Sequence, residues 1–291
     1  MPEAQAPLPP GSTIGVLGGG QLGRMLAMSA ARLGLKTHIY CPEAGCTAAQ
    51  VSDAATVADY DDRDALKAFA ASVDVVTYEF ENVPTDTAAV LAQHVPVRPG
   101  ARALAVAQDR LTEKTFIRDL GIATAPFADI TDPDSLAAAL KDIGTPAILK
   151  TRRLGYDGKG QVRIGDTSAG KTAWQAVGER PSILEGFVDF EAEISVIVAR
   201  GVDGITAAYD PARNDHENHI LSLSTVPSGY SADVEHKAKA LAERIAGELD
   251  YVGVMGVERF VASGTQDLIV NEIAPRVHNS GHWTLEGCTV N

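Results

Sequence analysis

Basic residues are scarce in this chain. Its 291 residues include 25 lysines and arginines against 38 aspartates and glutamates, a net charge of −13. So acidic a protein lacks the positive face that grips the phosphate backbone of nucleic acid, and no nucleic-acid partner is expected. A local pocket for a small phosphate ester stays open. Cysteine is scarcer still. Cys41, Cys46 and Cys288 are too few for a disulfide framework, and no pair of closely spaced pairs offers a zinc site. A cytoplasmic, reducing location is the expectation. Long apolar runs are missing too: none approaches the roughly 18 residues of a bilayer span, so no membrane partner is expected. Residues 1–11, rich in proline and alanine, have neither the basic start nor the apolar core of a signal peptide and read as a flexible arm. The rest is ordinary globular material, 45% hydrophobic and 22% charged, long enough for two or three domains.

The first section alternates strand and helix. Thr13–Leu17 is a short β-branched run, Arg24–Leu33 has helix-forming composition with Gly34 placed to cap it, and Thr37–Tyr40 reads as the next strand. A helix over Arg63–Ala71 and a strand over Asp74–Tyr78 continue the rhythm, which predicts a parallel sheet with helices on its faces. After a helix over Asp109–Leu120 the pattern changes to strands at Ala147–Lys150, Ser182–Glu185, Glu193–Val198 and Ile205–Tyr209. A long helix fits Ala232–Leu249, with Ala238, Leu241, Ile245 and Leu249 on one stripe. The first unit closes near Val97, before Pro99-Gly100, and a second section starts at Asp109.

Gly18, Gly20 and Gly23 have the spacing of a dinucleotide-binding turn, where glycine brings backbone amides close to an anion at a helix N-terminus. The acidic residue that should follow the second strand could only be Glu43, placed awkwardly after Pro42. Nicotinamide binding, another phosphorylated ligand and plain tight packing all remain open for this turn.

A stronger signal lies near the C-terminus. Two strand-like runs, Val252–Val261 and Leu268–Ile273, flank the turn-like Ser263–Gln266. A hairpin centred on Thr265 sets Glu258 opposite Glu272, their β-carbons roughly 5 Å apart on one face. Carboxylates that close repel unless one protonates or a cation lies between them. Magnesium suits such a pair, since it takes hard oxygen ligands and completes its shell with water and nucleotide phosphates. Charges splayed over a solvated strand face are the alternative. The following stretch, Arg276 to Trp283, packs a cation, two imidazoles, an amide and a hydroxyl beside the pair. Within it His278 and His282 could instead ligate zinc with Glu272 as a third ligand, or the polar groups could merely cap a turn.

Upstream, Lys150 ends a strand and Gly155-Tyr-Asp-Gly-Lys-Gly-Gln161 follows. A strand-terminal lysine with a flexible glycine flap suits phosphoryl transfer: the lysine neutralises phosphate oxygens and the flap excludes water. It is not a Walker A loop. A plain surface turn is the competing reading.

Taken together, Gly18–Met25, Tyr78–Pro84, Asp109–Lys114, Gly155–Gln161 and above all Asn271–Trp283 resemble the 5-(carboxyamino)imidazole ribonucleotide synthase family of ATP-grasp enzymes, over most of the chain. The resemblance implies a fold of α/β and α+β type: an arm over 1–11, an N-terminal Rossmann-like parallel-sheet domain over 12–108, then an ATP-grasp fold with a small subdomain carrying the Gly-rich flap over 109–186 and a large subdomain over 187–291, without the small C-terminal domain into which the family continues. It also implies ATP-dependent carboxylation. Bicarbonate attacks the γ-phosphate, and the resulting carboxyphosphate delivers carbon dioxide to the exocyclic amine of 5-aminoimidazole ribonucleotide, with ADP and phosphate released.

By position in the motifs, Arg110, Lys150 and the flap residues Gly155, Tyr156, Asp157, Gly158, Lys159, Gly160 and Gln161 are expected to contact ATP. Glu185, Gly186, Phe187 and Val188 would be the adenine-binding strand, Glu193 the ribose ligand, His216 a nucleotide-side histidine, and Asn271 and Glu272 neighbours of the phosphates. Glu258 and Glu272 would hold magnesium, with manganese as a substitute. Tyr156, Asp157, Lys159, Arg276 and His278 are the expected catalytic residues. Gly20, Gln21, Leu22, Glu79, Arg276, His278, Asn279 and Ser280 are expected at the ribonucleotide. Lys159 stands where the family often has arginine, and Asp210 where it has proline. The expected partners are 5-aminoimidazole ribonucleotide and bicarbonate, and a second copy in a homodimer. Three rivals accompany this reading: a nicotinamide oxidoreductase, a formate-using glycinamide ribonucleotide transformylase of the same superfamily, and a catalytically silent nucleotide-binding fragment.

Overall fold

The computed structural model describes residues 7–155, 158–218 and 220–290. Its first section runs β1 (Thr13–Leu17), α1 (Gln21–Arg32), β2 (Lys36–Cys41), β3 (Ala54–Val57), α2 (Arg63–Ala70), β4 (Val75–Tyr78), α3 (Thr85–Leu91) and α4 (Ala101–Ala107). The four strands form a parallel sheet in the order β3-β2-β1-β4. The expected strand–helix alternation is there, and β3, α3 and α4 are additions to it. Helix α2 starts where the Asp62 carboxylate accepts the amides of Asp64 and Ala65, and it buries Leu66, Phe69 and Ala70, the i, i+3, i+4 stripe of an amphipathic helix.

The middle section holds α5 (Arg110–Asp119), β5 (Phe127–Ile130), α6 (Pro133–Ile143), β6 (Ala147–Thr151), β7 (Gln161–Ile164), α7 (Gly170–Ala176) and β8 (Ser182–Gly186). Its sheet is antiparallel, ordered β5-β8-β6-β7, and packs against α6 and α7 through Leu136, Leu140, Leu149, Ile164, Trp174 and Leu184. Helix α6 was not foreseen, although a capping box between Asp132 and Ser135 and a proline in its first turn mark its start.

The last section comprises β9 (Phe190–Arg200), β10 (Thr206–Ala208), β11 (Ala212–Glu217), β12 (Ile220–Thr225), α8 (Ala232–Glu248), β13 (Gly253–Ala262), β14 (Leu268–Ala274) and the short α9 (Thr284–Gly287). The sheet runs β12-β11-β9-β13-β14 with β10 on an edge of β9. On its back face Ile194, Val196, Val198 and Val257 pack under Ala238, Ala242 and Ile245 of α8. Side chains alternate along a strand, so Glu193, Ser195, Gly256 and Glu258 face the other way, toward the cleft.

Candidate active site

The β13–β14 ladder sets Glu258 directly opposite Glu272. The register is not the simple one about Thr265, however. From the turn inward the pairs are Val261 with Leu268, Phe260 with Ile269 and Arg259 with Val270, and Asn271 then stands as an extra residue before Glu272 meets Glu258. This β-bulge puts two residues of one strand against one of the other, and both Asn271 and Glu272 line the cleft.

The cleft has a volume of about 480 Å³. Around it the fold gathers Arg110, Lys150, Gly155, Gly158, Lys159, Gln161, Phe187, Glu193, His216, Glu258, Asn271, Glu272, Arg276, His278 and Asn279. Tyr156 and Asp157 lie outside the described residues. Other expected residues sit behind this lining. The Gly160 carbonyl accepts the Thr151 amide at 2.8 Å and closes the base of the flap. Gly186 donates its amide to Pro126 at 2.8 Å, and Val188 is half-buried in the link between β8 and β9. Ser280 is fully buried under His278.

Three ligand atoms, one each from Glu258, Glu272 and His278, lie within 4.8 Å of one another. Glu258 is only 8% exposed. Burial first, then the charge of Glu272, pushes its carboxyl well above the usual range, which is what a carboxylate pair does without a cation between. The His278 imidazole is pushed down to about 4 by burial and the adjacent Arg276, so it is neutral at neutral pH. Its Nδ1 accepts the Ser280 amide at 3.3 Å, leaving the proton on Nε2, which stands 3.5 Å from Glu258 Oε1. His278 in this tautomer orients Glu258, and the two carboxylates present the oxygens that a cation would bind. The hard-oxygen character fits magnesium. His282 is exposed and absent from the cluster, so the His278–His282 zinc arrangement does not assemble. Gly256 makes room for His278: a β-carbon there would stand 2.8 Å from that of His278.

A chain of charges that pattern reading missed runs behind the clamp. Glu185 does not line the cleft. Its Oε2 accepts Lys150 Nζ at 3.0 Å and faces Lys114 Nζ at 3.6 Å. Burial alone would raise the Glu185 carboxyl, but the two lysines hold it at about 2. Lys114 also donates to the Val270 carbonyl at 3.3 Å, and Glu113 accepts the Ile273 amide at 2.6 Å. Helix α5 thus braces β14 on either side of the bulge. Arg110 donates to the carbonyls of Thr151 and Gly155, each at 3.2 Å, fixing the root of the flap. Arg276 meets Glu81 at 2.5 Å, which draws the Glu81 carboxyl below its usual range against the opposing effect of burial. Across the cleft, His216 Nδ1 lies 3.4 Å from Glu193 Oε2.

The N-terminal glycine turn is filled from within. Leu17 pairs with Tyr78, so Glu79 emerges beside Gly18. Its carboxylate accepts the amides of Gly20 and of Gly23, the latter at 2.7 Å. A β-carbon on Gly20 would stand 2.7 Å from the same carboxylate. The anion cradle that a dinucleotide would need is occupied by this buried side chain, and the nicotinamide reading is set aside. Leu22 is half-buried in the first turn of α1. Gln21 is exposed and, with Asn279, Ser222, Ser224, His282 and Trp283, lines a second hollow of about 410 Å³. Asn279 lines both hollows.

Among the described residues, no helix is long and apolar enough to cross a membrane. Two family models match the chain: a ribonucleotide synthetase preATP-grasp domain over residues 12–108 and an ATP-grasp domain over residues 115–291. An N5-carboxyaminoimidazole ribonucleotide synthase of Brucella melitensis is 53% identical over 97% of this chain and 78% of its own length. A solved N5-carboxyaminoimidazole ribonucleotide synthetase in complex with ADP superposes with a TM-score of 0.94 at 40% identity, covering 100% of this chain and 76% of that one. The N5-carboxyaminoimidazole synthase of Aspergillus clavatus, solved with ADP and 5-aminoimidazole ribonucleotide, gives a TM-score of 0.88 at 31% identity over 95% of this chain and 73% of that one. This chain belongs to the N5-carboxyaminoimidazole ribonucleotide synthase family of ATP-grasp proteins.

Proposed function

We propose that this protein uses ATP and bicarbonate to carboxylate 5-aminoimidazole ribonucleotide, forming N5-carboxyaminoimidazole ribonucleotide, ADP and phosphate. The observation that carries the reading is the Glu258–Glu272 pair, facing across one ladder in a cleft that Lys150, the flap and Arg276 also line. Relatives solved with ADP, and with ADP and 5-aminoimidazole ribonucleotide, support the adenine nucleotide and the ribonucleotide as two of the three substrates.

The physical difficulty is that bicarbonate, an anion, must reach a polyanion. A bound magnesium ion would supply charge neutralisation at the triphosphate, and Glu258 and Glu272 are the residues that would hold it. Lys150 extends from the end of β6 into the same cleft, its ammonium anchored by Glu185, and offsets charge on phosphate oxygens. Such preorganised groups stabilise the transferring phosphoryl without reorganising during reaction. Attack of a bicarbonate oxygen on the γ-phosphorus breaks the bond to ADP and yields carboxyphosphate. That species is labile in water, so closure of the Gly155–Gln161 flap, where Tyr156 and Asp157 are our further candidates, would shield it. Arg276, His278 and Asn279 line the cleft, and Asn279 also lines the second hollow, where the ribonucleotide amine would take up the carbon dioxide. Gln21 and Asn279 line that hollow and support it as the ribonucleotide site, while Glu79, committed to the glycine turn, holds the turn in shape.

Glu272→Ala tests the reading: phosphate release dependent on bicarbonate and 5-aminoimidazole ribonucleotide should vanish while the circular dichroism spectrum stays unchanged. Full turnover of this variant in saturating magnesium would overturn the assignment. Phosphate release with formate and glycinamide ribonucleotide in place of the two substrates should be absent from the wild type.

A further inference from the structure

Two polar side chains on the cleft-facing side of the large sheet, one layer behind the lining, are buried and incompletely bonded. Ser195 is 1% exposed and Asn214 4%, and among the described residues Ser195 Oγ and Asn214 Nδ2 have no hydrogen-bond partner. A buried polar group left without a partner is destabilising, so a pair on one face calls for an explanation. Their positions supply it. Ser195 is the ladder partner of Glu258 on β13, and Asn214 is the ladder partner of Glu193 on β9. Side chains directly opposite in a ladder have β-carbons only about 4.5–5.5 Å apart, within reach of one another. Each orphaned donor is therefore the ladder neighbour of a carboxylate of the site, one side-chain rotation from bonding it. For Asn214 the direction is set as well: its Oδ1 accepts the Ser224 hydroxyl at 2.8 Å from β12, which turns the nitrogen end toward β9. Glu258 already has the His278 imidazole on its other flank, so a hydroxyl from β9 would complete its support.

We propose that Ser195 and Asn214 are positioning residues: when Glu258 turns to hold magnesium it takes the Ser195 hydroxyl as its donor, and when Glu193 turns to hold nucleotide it takes the Asn214 amide. The inference rests on the clamp and nucleotide roles proposed above for those two carboxylates. Because Ser224 also lines the second hollow, the Ser224–Asn214–Glu193 line gives the two hollows a shared polar wall.

Calorimetric titration of the whole protein separates the possibilities. Magnesium titrated in the presence of ADP should bind Ser195→Ala about tenfold more weakly than wild type, the loss expected for a hydrogen bond to a charged group. ADP affinity at saturating magnesium should be unchanged, and Ser195→Thr, which keeps the hydroxyl, should restore magnesium binding. Asn214→Ala should weaken ADP about tenfold with magnesium affinity intact. Asn214→Asp keeps the acceptor for Ser224 but loses the donor, and should be no better than alanine. A purely structural hydroxyl predicts the opposite pattern: Ser195→Ala binds magnesium as wild type does, and that result overturns the proposal. Glu258→Gln serves as the control. If it leaves magnesium affinity untouched, the clamp itself is wrong; if it abolishes binding while Ser195→Ala does not weaken it, only the positioning role fails.

Discussion

Replacing Glu272 by glutamine removes one charge from the clamp and keeps its shape, so it should raise stability in the absence of metal and lower it in its presence. The ligand atoms of the two carboxylates lie within 4.8 Å of each other. Two full charges at that separation repel by about 3.5 kcal/mol at an effective dielectric of about 20. Glu258 relieves part of this by keeping its proton, since burial and the Glu272 charge push its carboxyl well up. The realised gain is then about 1–2 kcal/mol, which for a chain of this size raises melting by roughly 2–6 °C. Magnesium and ADP reverse the order. A ligand at a hundred times its dissociation constant stabilises the folded wild type by about 2.7 kcal/mol, and the variant forfeits most of that. Thermal melts of both proteins, with and without magnesium and ADP, read out all four values. A variant that melts below wild type without metal, or that keeps the full shift with it, would refute the clamp.

Three further outcomes follow from named contacts. Burial pushes the Glu113 carboxyl from 4.5 up to about 8, so the native state holds a proton that the unfolded chain has already released. Stability from this site is complete below the unfolded value and declines as pH rises toward the native one; in metal-free urea melts Glu113→Gln should flatten that decline between about pH 5 and 8, and an unchanged slope would count against it. Gly256→Ala sets a β-carbon 2.8 Å from that of His278, and turnover should fall at least tenfold while stability drops by about 1–3 kcal/mol; full activity would show that His278 need not stay in place. Glu79→Ala strips the acceptor from the Gly20 and Gly23 amides and should cost about 3 kcal/mol, partly recovered by sulfate entering the vacated cradle; a melt insensitive to both changes would contradict the self-filled turn.

Much of this architecture was legible because period and spacing carry it. The β1–β2–β4 runs, the α8 stripe and the hairpin strands all stand within a few residues of their expected bounds. The facing of Glu258 and Glu272 was legible too, but its route was not: counting outward from Thr265 ignores the extra Asn271, which no hydropathy pattern marks. Helix α5 hid the charge network for a different reason. Glu113 and Lys114 are 3% and 1% exposed, whereas patterning assigns such residues to solvent, and only the tertiary placement of Glu185, Val270 and Ile273 reveals their partners. The same holds for Glu79, which lies 59 residues from Gly20 along the chain and reaches it only because β1 and β4 are neighbours. Short elements such as β3 and α3 carry too few residues to show a period.

The bulge in β14 separates two kinds of genetic change. Deleting codon 271 would let Glu272 follow Val270 in an unbroken ladder, still opposite Glu258, while withdrawing one amide from the cleft and relaxing the local twist. Losing a residue within the paired segments 259–261 or 268–270 would instead slide the rungs and swap which side chains meet. Insertions and deletions in this hairpin are thus graded by where they fall, and a one-residue excision at the kink offers a way to keep both acidic groups while removing their carboxamide neighbour.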